Sequence, residues 1–541
     1  MQDVYEKTID GEVTQDDWLR KAAVWWDRFW TSPVLESALA RRLTLAAIAL
    51  ICLARVYCGL HLISYYTHDL FTFIDGAWRM FNGQRPHVDF YSGLGFLTYV
   101  QTELGLMVAN WRAEGIVYGN VAVALLCGCA AYVLSRKRLA DVPCILITLF
   151  TTLVAVAPFN IGESPMRITM AMFYNREGYA ILNLILLESM CAPIEATNEF
   201  WTGLLTGVLT AALLFLKVSY FGAAVLLVLG LIFVRRQPGS RWLGIVLGGI
   251  SVLVAGFIYL GGIGPFMSDM TMLSRAKHFD RWVLEWRFYD VVRYSMAPLA
   301  AFSLSAVLIS DKERTRRSLV RIAIATACVA AVGLITLAGN WQEYLTPTNA
   351  TLAIILVSGV LAATGTSPAR MRTMFFTWAA VLILVPMLTD ALGLAYMVRL
   401  RQSEHTKLAR LHLFEGPLLA NMTSEDNKYV DFFNEGYRLL KRNLRPNDTV
   451  MTFDFLNPYS WALGLRPAEG GSTWMHYQTN FNEQWHPSPE RFIGSASLIL
   501  VPTDPKRQET AEYAVPIYGD YLHAHFQLID RTKSWDLYRR E

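Results

Sequence analysis

Runs of about 20 apolar residues recur along the first three quarters of the chain, each long enough to cross a bilayer core of roughly 30 Å. Of the 541 residues, 53% are hydrophobic and only 17% are charged. A soluble protein of this size carries about a quarter charged residues. The mean hydropathy is +0.30. These observations predict a mainly α-helical, polytopic membrane protein that lies in a lipid bilayer.

Basic clusters set the predicted orientation. Arg41 and Arg42 precede the first apolar run and place the N-terminus in the cytoplasm. Further basic clusters at 136–138, 235–241, 311–321 and 367–372 agree with one orientation, although the inner loop 194–200 is acidic. We expect eleven spans, with the C-terminus outside. They are 43–64, 116–135, 142–158, 178–193, 202–218, 220–234, 242–262, 295–310, 320–338, 350–365 and 373–396.

Three units follow from the composition. Residues 1–42, rich in Trp and basic side chains, predict a cytoplasmic amphipathic helix at the membrane surface; a partly ordered tail is the alternative. Residues 43–396 form the transmembrane domain. Residues 397–541 predict an extramembrane α/β domain with a helix before a turn at 445–448, strands near 450–453 and 497–502, and a hairpin over 526–540.

The remaining composition excludes some functions. The net charge of +3 leaves no basic footprint for a nucleic acid. All seven cysteines fall in apolar stretches, so neither a disulfide nor a thiolate metal site is implied.

The most unusual polar segment follows the first span. It belongs to an outer loop, 65–115, which we call the first loop, and it carries Asp69, Asp75 and Asp89. Asp69 and Asp75 are six residues apart, about 600° of helical rotation, so they do not share a helix face. Asp69 is placed either to act as a general base or to cap the helix that follows it. Asp89, in the run Pro86–Phe90, is expected to order the loop through an Asx-type turn.

Other outer loops carry groups suited to an anion. Arg167, Asn175, Arg176 and Glu177 gather near the start of an inward helix, where arginines favour either an anionic ligand or lipid headgroups. Lys217, at an outer helix end, either meets a phosphate or extends to the membrane interface. The loop 263–294 is strongly basic for an outer loop, which favours an anionic ligand. Its basic residues are Arg275, Lys277, His278, Arg281, Arg287 and Arg293.

Two more polar stretches suit a sugar. Residues 340–344, which include Glu343, combine amide, carboxylate and aromatic groups and fit either a sugar or an interfacial turn. Residues 470–487 of the C-terminal domain are aromatic and polar, and either contact an acceptor or only close the site.

The first loop resembles that of the GT-C superfamily of integral-membrane glycosyltransferases, as found in bacterial aminoarabinose and protein-mannosyl transferases. In that family an Asp is followed after about fourteen residues by Gly and then by a Pro-Tyr-Arg-Asp-Phe-like run. Asp69, Gly83 and Pro86–Phe90 match this register. Weaker matches follow in the family's order: LLFLKVSYFG, which contains Lys217, and AKHFDRW, which contains His278 and Arg281 but has Lys277 in place of the family's acid.

The resemblance implies an enzyme that moves a sugar from a polyprenyl-phosphate donor to a hydroxyl acceptor with inversion. Asp69 would be the base, and Glu177 is the nearest candidate for the family's second acidic residue. The substrate-binding set would be Asp89, Arg167, Asn175, Arg176, Lys217, His278, Arg281 and Glu343. The acceptor would be a membrane-associated lipid, glycan or protein. A divalent cation beside the carboxylate and phosphate stays open, with no metal ligands assigned.

The resemblance also implies a place in the cell. The protein would lie in a bacterial inner membrane, with its C-terminal domain in the periplasm, and would modify lipopolysaccharide or another cell-envelope glycan. A polysaccharide polymerase or ligase fits the same features. Two alternatives from other classes are a flippase for lipid-linked sugars, and a non-catalytic polysaccharide assembly protein. A flippase needs polar residues within its spans, and Arg55, Glu188 and Asp390 are nearly the only ones.

Overall fold

The computed structural model describes most of the chain. The residues described are 24, 38–60, 63–64, 66–193, 199–277, 281–309, 315–338, 346–360, 369–403, 417–419, 422, 427–503 and 510–541. The amphipathic helix expected within 1–42 lies outside these residues except at 24 and 38–42.

Among the described residues before 404, the named elements are helices. Its helices are α1 (Ala38–Cys58), α2 (Leu70–Phe81), α3 (Leu97–Val108), α4 (Gly115–Arg136), α5 (Asp141–Val156), α6 (Phe173–Met190), α7 (Glu199–Leu216), α8 (Val218–Gly230), α9 (Gly239–Tyr259), α10 (Ile263–Ala276), α11 (Arg281–Val291), α12 (Ala297–Leu308), α13 (Thr315–Ala338), α14 (Thr348–Val360) and α15 (Ala369–Ser403).

Each of the eleven expected spans coincides with one of these helices. Six helical segments in the described part of the chain are long and apolar enough to cross a membrane: Gly115–Arg136, Glu199–Leu216, Gly239–Tyr259, Phe288–Leu308, Leu319–Leu337 and Met371–Gln402. Shorter apolar helices include Asp141–Val156, Val218–Phe233 and Thr348–Gly359. The mainly helical, multi-pass architecture predicted from the sequence is confirmed.

Glycines let two pairs of helices approach closely. A Cβ on Gly203 of α7 would stand 2.1 Å from the Arg241 carbonyl oxygen of α9, and one on Gly244 would stand 2.1 Å from that of Phe200. The same contact joins α3 to α4, where a Cβ on Gly105 would meet the Gly115 carbonyl oxygen at 2.0 Å. Small residues at membrane-helix contacts allow this backbone packing. Through the second contact, the first loop's α3 is held against a long apolar helix.

Arg55, Glu188 and Asp390, the charged residues noted within the spans, each have polar contacts in the described part of the chain. Glu188 lies between two buried arginines, with Arg138 Nη2 at 2.6 Å and Arg241 Nη1 at 3.0 Å. Asp390 accepts from Arg176 Nη1 at 3.0 Å. Arg55 donates to the Gly59 carbonyl oxygen at 2.8 Å. It also donates to the sulfur atoms of Met170 and Met397. Because a charge buried in lipid is stable only when paired, the ion pairs account for Glu188 and Asp390 as structural groups. Arg55 is held instead by a carbonyl oxygen and two sulfur atoms.

The C-terminal part folds as a small α/β unit. It contains α16 (Asn427–Asn443), α17 (Tyr459–Ala462), α18 (Pro489–Ile493) and α19 (Ala511–His525), with strands β1 (Val450–Thr452), β2 (Leu498–Pro502), β3 (Phe526–Arg531) and β4 (Trp535–Arg540). The sheet order is β1-β2-β4-β3. β1 and β2 are parallel, whereas β3 and β4 form the expected antiparallel hairpin. The predicted strands and the turn, in which Asp448 N–H donates to the Arg445 carbonyl oxygen at 3.2 Å, are confirmed.

The C-terminal unit is bonded directly to the first loop. Buried Arg79 of α2 donates to the carbonyl oxygens of Ala468 and Gly470, each at 2.9 Å. Trp78 Nε1 donates to the Leu465 carbonyl oxygen at 2.8 Å, and Tyr91 N–H donates to that of Gly471 at 2.9 Å. These bonds hold the two parts in a fixed relation.

Candidate active site

A cavity of about 600 Å³ lies where the first loop, the loop before α6, the α7–α8 junction and the C-terminal unit meet. Its charged lining residues are Asp69, Glu163, Arg167, Lys217, Lys277 and Asp454. Its aromatic and imidazole lining includes Tyr66, His68, Phe73, Tyr174, Tyr429, Phe432, Phe455, Trp474 and His476. Pockets of this size, mostly apolar with a few converging polar groups, are typical of small-molecule sites.

Asp69 lines the cavity and does not cap the helix that follows it, α2. It ends a short 3₁₀ turn, Thr67–Asp69, and occupies the position before α2, yet its side chain makes no capping hydrogen bond. Its side chain is 22% exposed, and its Oδ1 atom lies 3.3 Å from His68 Nε2. Burial raises the pKa of Asp69, which the neighbouring His68 opposes. A carboxylate with a raised pKa in a cavity is suited to accept a proton.

Asp75 has a different role from Asp69, as the helical rotation predicts. Its Oδ2 atom accepts from Arg79 Nε at 2.8 Å, and both side chains are almost fully buried. Arg79 also donates to the Gln84 side chain at 3.1 Å. Asp75 therefore holds the arginine that bonds the first loop to the C-terminal unit.

Lys217 forms the cationic side of the cavity. It occupies the cap position before α8, where the positive end of a helix adds to its charge. Its Nζ atom lies 3.4 Å from Asn175 Oδ1 and 4.7 Å from the centre of the Tyr174 ring. Asn175 Nδ2 is buried and has no hydrogen-bond partner among the described residues. An ammonium, a helix N-terminus and a buried amide donor form a setting that suits a phosphate oxygen.

The structure brings some predicted residues together and separates others. Asp69, Arg167 and Lys217 line one cavity, and Asn175 contacts Lys217. Glu177 does not line the cavity: it is buried in α6, where its carboxylate accepts from Gln101 Nε2 at 2.6 Å and Asn120 Nδ2 at 2.8 Å.

Two further predicted residues do not line the cavity. Arg176 pairs with Asp390. Asp89 accepts from the Arg85 N–H at 2.7 Å, a contact that orders the loop but reaches back four residues, so it is not the Asx-type turn that was expected.

Three predicted residues cannot be placed in the same way. His278 and Glu343 lie outside the described residues. Arg281 begins α11, and its side chain also lies outside them. Among the described residues, no group of three or more His, Cys, Asp or Glu side chains is arranged to hold a metal ion, and the divalent cation stays an open prediction.

Sequence reasoning missed several residues of the cavity. Lys277 belongs to the basic loop that favours an anionic ligand but was not among the predicted site residues, and it lines the cavity with Lys217. Asp454 and Phe455 follow the end of β1, and a strand's carboxyl end is a frequent ligand position that the sequence could have indicated. Trp474 and His476 belong to the 470–487 stretch. No sequence signal identified Glu163.

These features define a polytopic helical protein with a carboxylate and cations converging in one cavity under an α/β domain. The chain is similar to crystal structures of ArnT from Cupriavidus metallidurans in the apo state and bound to undecaprenyl phosphate. Each has 12% identity and a TM-score of 0.48, over 93% of this chain and 98% of that chain.

It is also similar to the oligosaccharyltransferase AglB from Archaeoglobus fulgidus in complex with an inhibitory peptide and a dolichol-phosphate. This match has 11% identity and a TM-score of 0.38, over 93% of this chain and 75% of that chain. Both proteins are GT-C glycosyltransferases, the superfamily that the first loop resembles. No protein-family model and no curated protein sequence matches the chain. At these TM-scores the similarities carry no argument about function. The function proposed for this chain rests on the residues of the cavity.

Proposed function

We propose that the protein is an inverting glycosyltransferase that moves a sugar from a polyprenyl-phosphate donor to a hydroxyl acceptor at the outer side of the membrane. The observation that carries this proposal is the cavity, in which the non-capping carboxylate of Asp69 faces the same space as Arg167, Lys217 and Lys277. One carboxylate and several cations are the groups that such a displacement requires.

Each group has a task in the reaction. Asp69 accepts the proton of the acceptor hydroxyl, whose oxygen forms a bond to the anomeric carbon. The bond from that carbon to the phosphate oxygen breaks, and the phosphate leaves with the electron pair. Lys217, Arg167 and Lys277 stabilise the negative charge that develops on this phosphate. Negative charge develops on the phosphate as the bond breaks, so the stabilisation that these cations provide grows toward the transition state.

The lipid tail of the donor fits a membrane protein of this kind. A polyprenyl chain stays in the bilayer while its phosphate reaches a cavity at the ends of the helices. We place the protein in a bacterial inner membrane with the N-terminus cytoplasmic and the cavity facing the periplasm, where it serves cell-envelope glycan or lipid modification. Asp89, Glu177, His278, Arg281 and Glu343 stay predictions as site residues.

Lipid extracts test this proposal. Mass spectrometry of a deletion strain should show a lipid or glycan that lacks one sugar and an increase of the polyprenyl-phosphate sugar. Complementation with the wild-type chain should restore the modification, whereas Asp69→Asn should not. Asp520→Asn is a matched control, because Asp520 of α19 is exposed and does not line the cavity. If Asp69→Asn restores full modification, the catalytic assignment is wrong. If the polyprenyl-phosphate sugar instead accumulates on the cytoplasmic side of the membrane, a flippase explains the result better.

A further inference from the structure

Five rings of the cavity form a connected aromatic wall. We use this name for His68, Tyr429, Phe455, Trp474 and His476, of which all but His68 belong to the C-terminal unit. His68 lies 5.8 Å from the Tyr429 ring and 5.4 Å from the Phe455 ring, measured between centroids. Phe455 lies 6.2 Å from Trp474 and 5.6 Å from His476. The wall is therefore one surface.

The aromatic wall adjoins Asp69, whereas Lys217 packs against the ring of Tyr174, which is not part of the wall. Contacts run from Lys217 to the Tyr174 ring at 4.7 Å, and from Asp69 to His68 at 3.3 Å. His68 is itself one of the five rings of the wall, so the wall begins beside the Asp69 carboxylate.

These contacts give the donor phosphate and the acceptor different neighbours in the cavity. In an inverting displacement, the attacking oxygen and the leaving oxygen lie on opposite sides of the anomeric carbon. If the leaving phosphate binds at Lys217, the acceptor oxygen is at Asp69 and the rest of the acceptor extends away from Lys217. The acceptor then contacts the aromatic wall, which begins at His68 beside Asp69.

Resting on the function proposed above, we propose that the aromatic wall binds the pyranose ring of a saccharide acceptor. The C–H bonds of one sugar face form an apolar patch with partial positive charge, which packs against the negative face of an aromatic ring. Asp454 and Thr479, which also line the cavity, add polar groups for sugar hydroxyls. A serine or threonine of a protein acceptor would offer no such ring face.

The wall is held in place before any ligand binds. The backbone of 465–471 accepts hydrogen bonds from Trp78, Arg79 and Tyr91 of the first loop. Tyr99 of the first loop and Thr473 also share a buried hydrogen bond at 2.9 Å. Trp474 covers Gly93, where a Cβ would stand 3.2 Å from the indole. Pre-organised contacts of this kind reduce the cost of ordering a site.

The test uses the full-length protein in lipid nanodiscs with undecaprenyl phosphate present. Saturation-transfer NMR compares a panel of methyl glycosides (glucoside, galactoside, mannoside and N-acetylglucosaminide) with a serine-containing octapeptide. We expect at least one glycoside to bind, and Phe455→Leu to weaken that binding by about fivefold or more while undecaprenyl phosphate binds as before. Trp485→Leu is the matched control, since Trp485 is 37% exposed and does not line the cavity.

The outcomes distinguish the inference about the acceptor from the proposed function. Binding of the octapeptide but of no glycoside overturns the inference, as does unchanged glycoside binding in Phe455→Leu. If Phe455→Leu also loses undecaprenyl phosphate, Trp474→Leu replaces it, because the Trp474 indole N–H has no partner among the described residues to lose. Failure of the wild-type protein to bind undecaprenyl phosphate, or normal binding by Lys217→Met, refutes the proposed function rather than the acceptor class.

Discussion

Replacing Asp69 by Asn separates a catalytic carboxylate from a structural one. The Asp69 side chain makes no capping hydrogen bond and is 22% exposed in the cavity. An Asp that caps a helix costs about 1 kcal/mol of stability when it is lost, so that loss is not expected here. Loss of a general base lowers the rate by about 10²–10⁴-fold, or about 3–5 kcal/mol in the activation free energy.

The assay is sugar transfer by purified protein in nanodiscs, followed by mass spectrometry, with thermal unfolding measured on the same samples. Asp69→Asn should lower kcat by about two to four orders of magnitude and leave the unfolding midpoint unchanged. Asp75→Asn is the comparison: it leaves buried Arg79 without its carboxylate and should destabilise the protein by about 3–5 kcal/mol. A kcat within tenfold of wild type for Asp69→Asn, or a lowered midpoint like that of a lost cap, would refute the assignment.

The other predictions concern pH, the phosphate and the buried charges. Only deprotonated Asp69 can act as the base, and burial raises the pKa of this carboxyl group. The value of kcat should therefore fall as the pH drops through a value above the usual carboxyl pKa of about 4. A profile that stays flat down to about pH 4 would contradict this. Lys217→Met should weaken undecaprenyl phosphate binding about 10–100-fold by calorimetry, the usual value of a charged hydrogen bond, and equal affinity would exclude Lys217 from the phosphate site. Glu188→Gln leaves Arg138 and Arg241 without their shared carboxylate and should lower stability by about 3–5 kcal/mol; an unchanged thermal midpoint in detergent would show that the arginines find other partners.

The helices were predictable because the bilayer length and the hydropathy of each run are local properties. The eleven apolar runs all became helices, and the hairpin at 526–540 formed at the predicted residues. The boundaries were less accurate, since α15 runs as one helix through Pro386 to Ser403, beyond the expected end of the span at 396. A helix end depends on what the last turn packs against, which the local pattern does not contain.

The site was predictable only in part. The spacing from Asp69 to Gly83 and Pro86–Phe90 selected Asp69, and the structure places its side chain in the cavity without a capping bond. Lys217 and Arg167 were also selected, and both line that cavity. The partners of Glu188 and Asp390 were not predictable from the sequence, because the arginines that bind them lie far along the chain.

By itself, the sequence determined the class of protein, the helical segments, the strands of the C-terminal unit and the unusual carboxylate of the first loop. These follow from hydropathy, helix length and short-range spacing. Only the tertiary structure decided that Asp75 anchors Arg79 while Asp69 faces the cavity, and that Lys277 joins Lys217 there. It alone placed Phe455, Trp474 and His476 in the same cavity as the cations, because contacts between residues hundreds of positions apart arise from packing and leave no periodic pattern in the sequence.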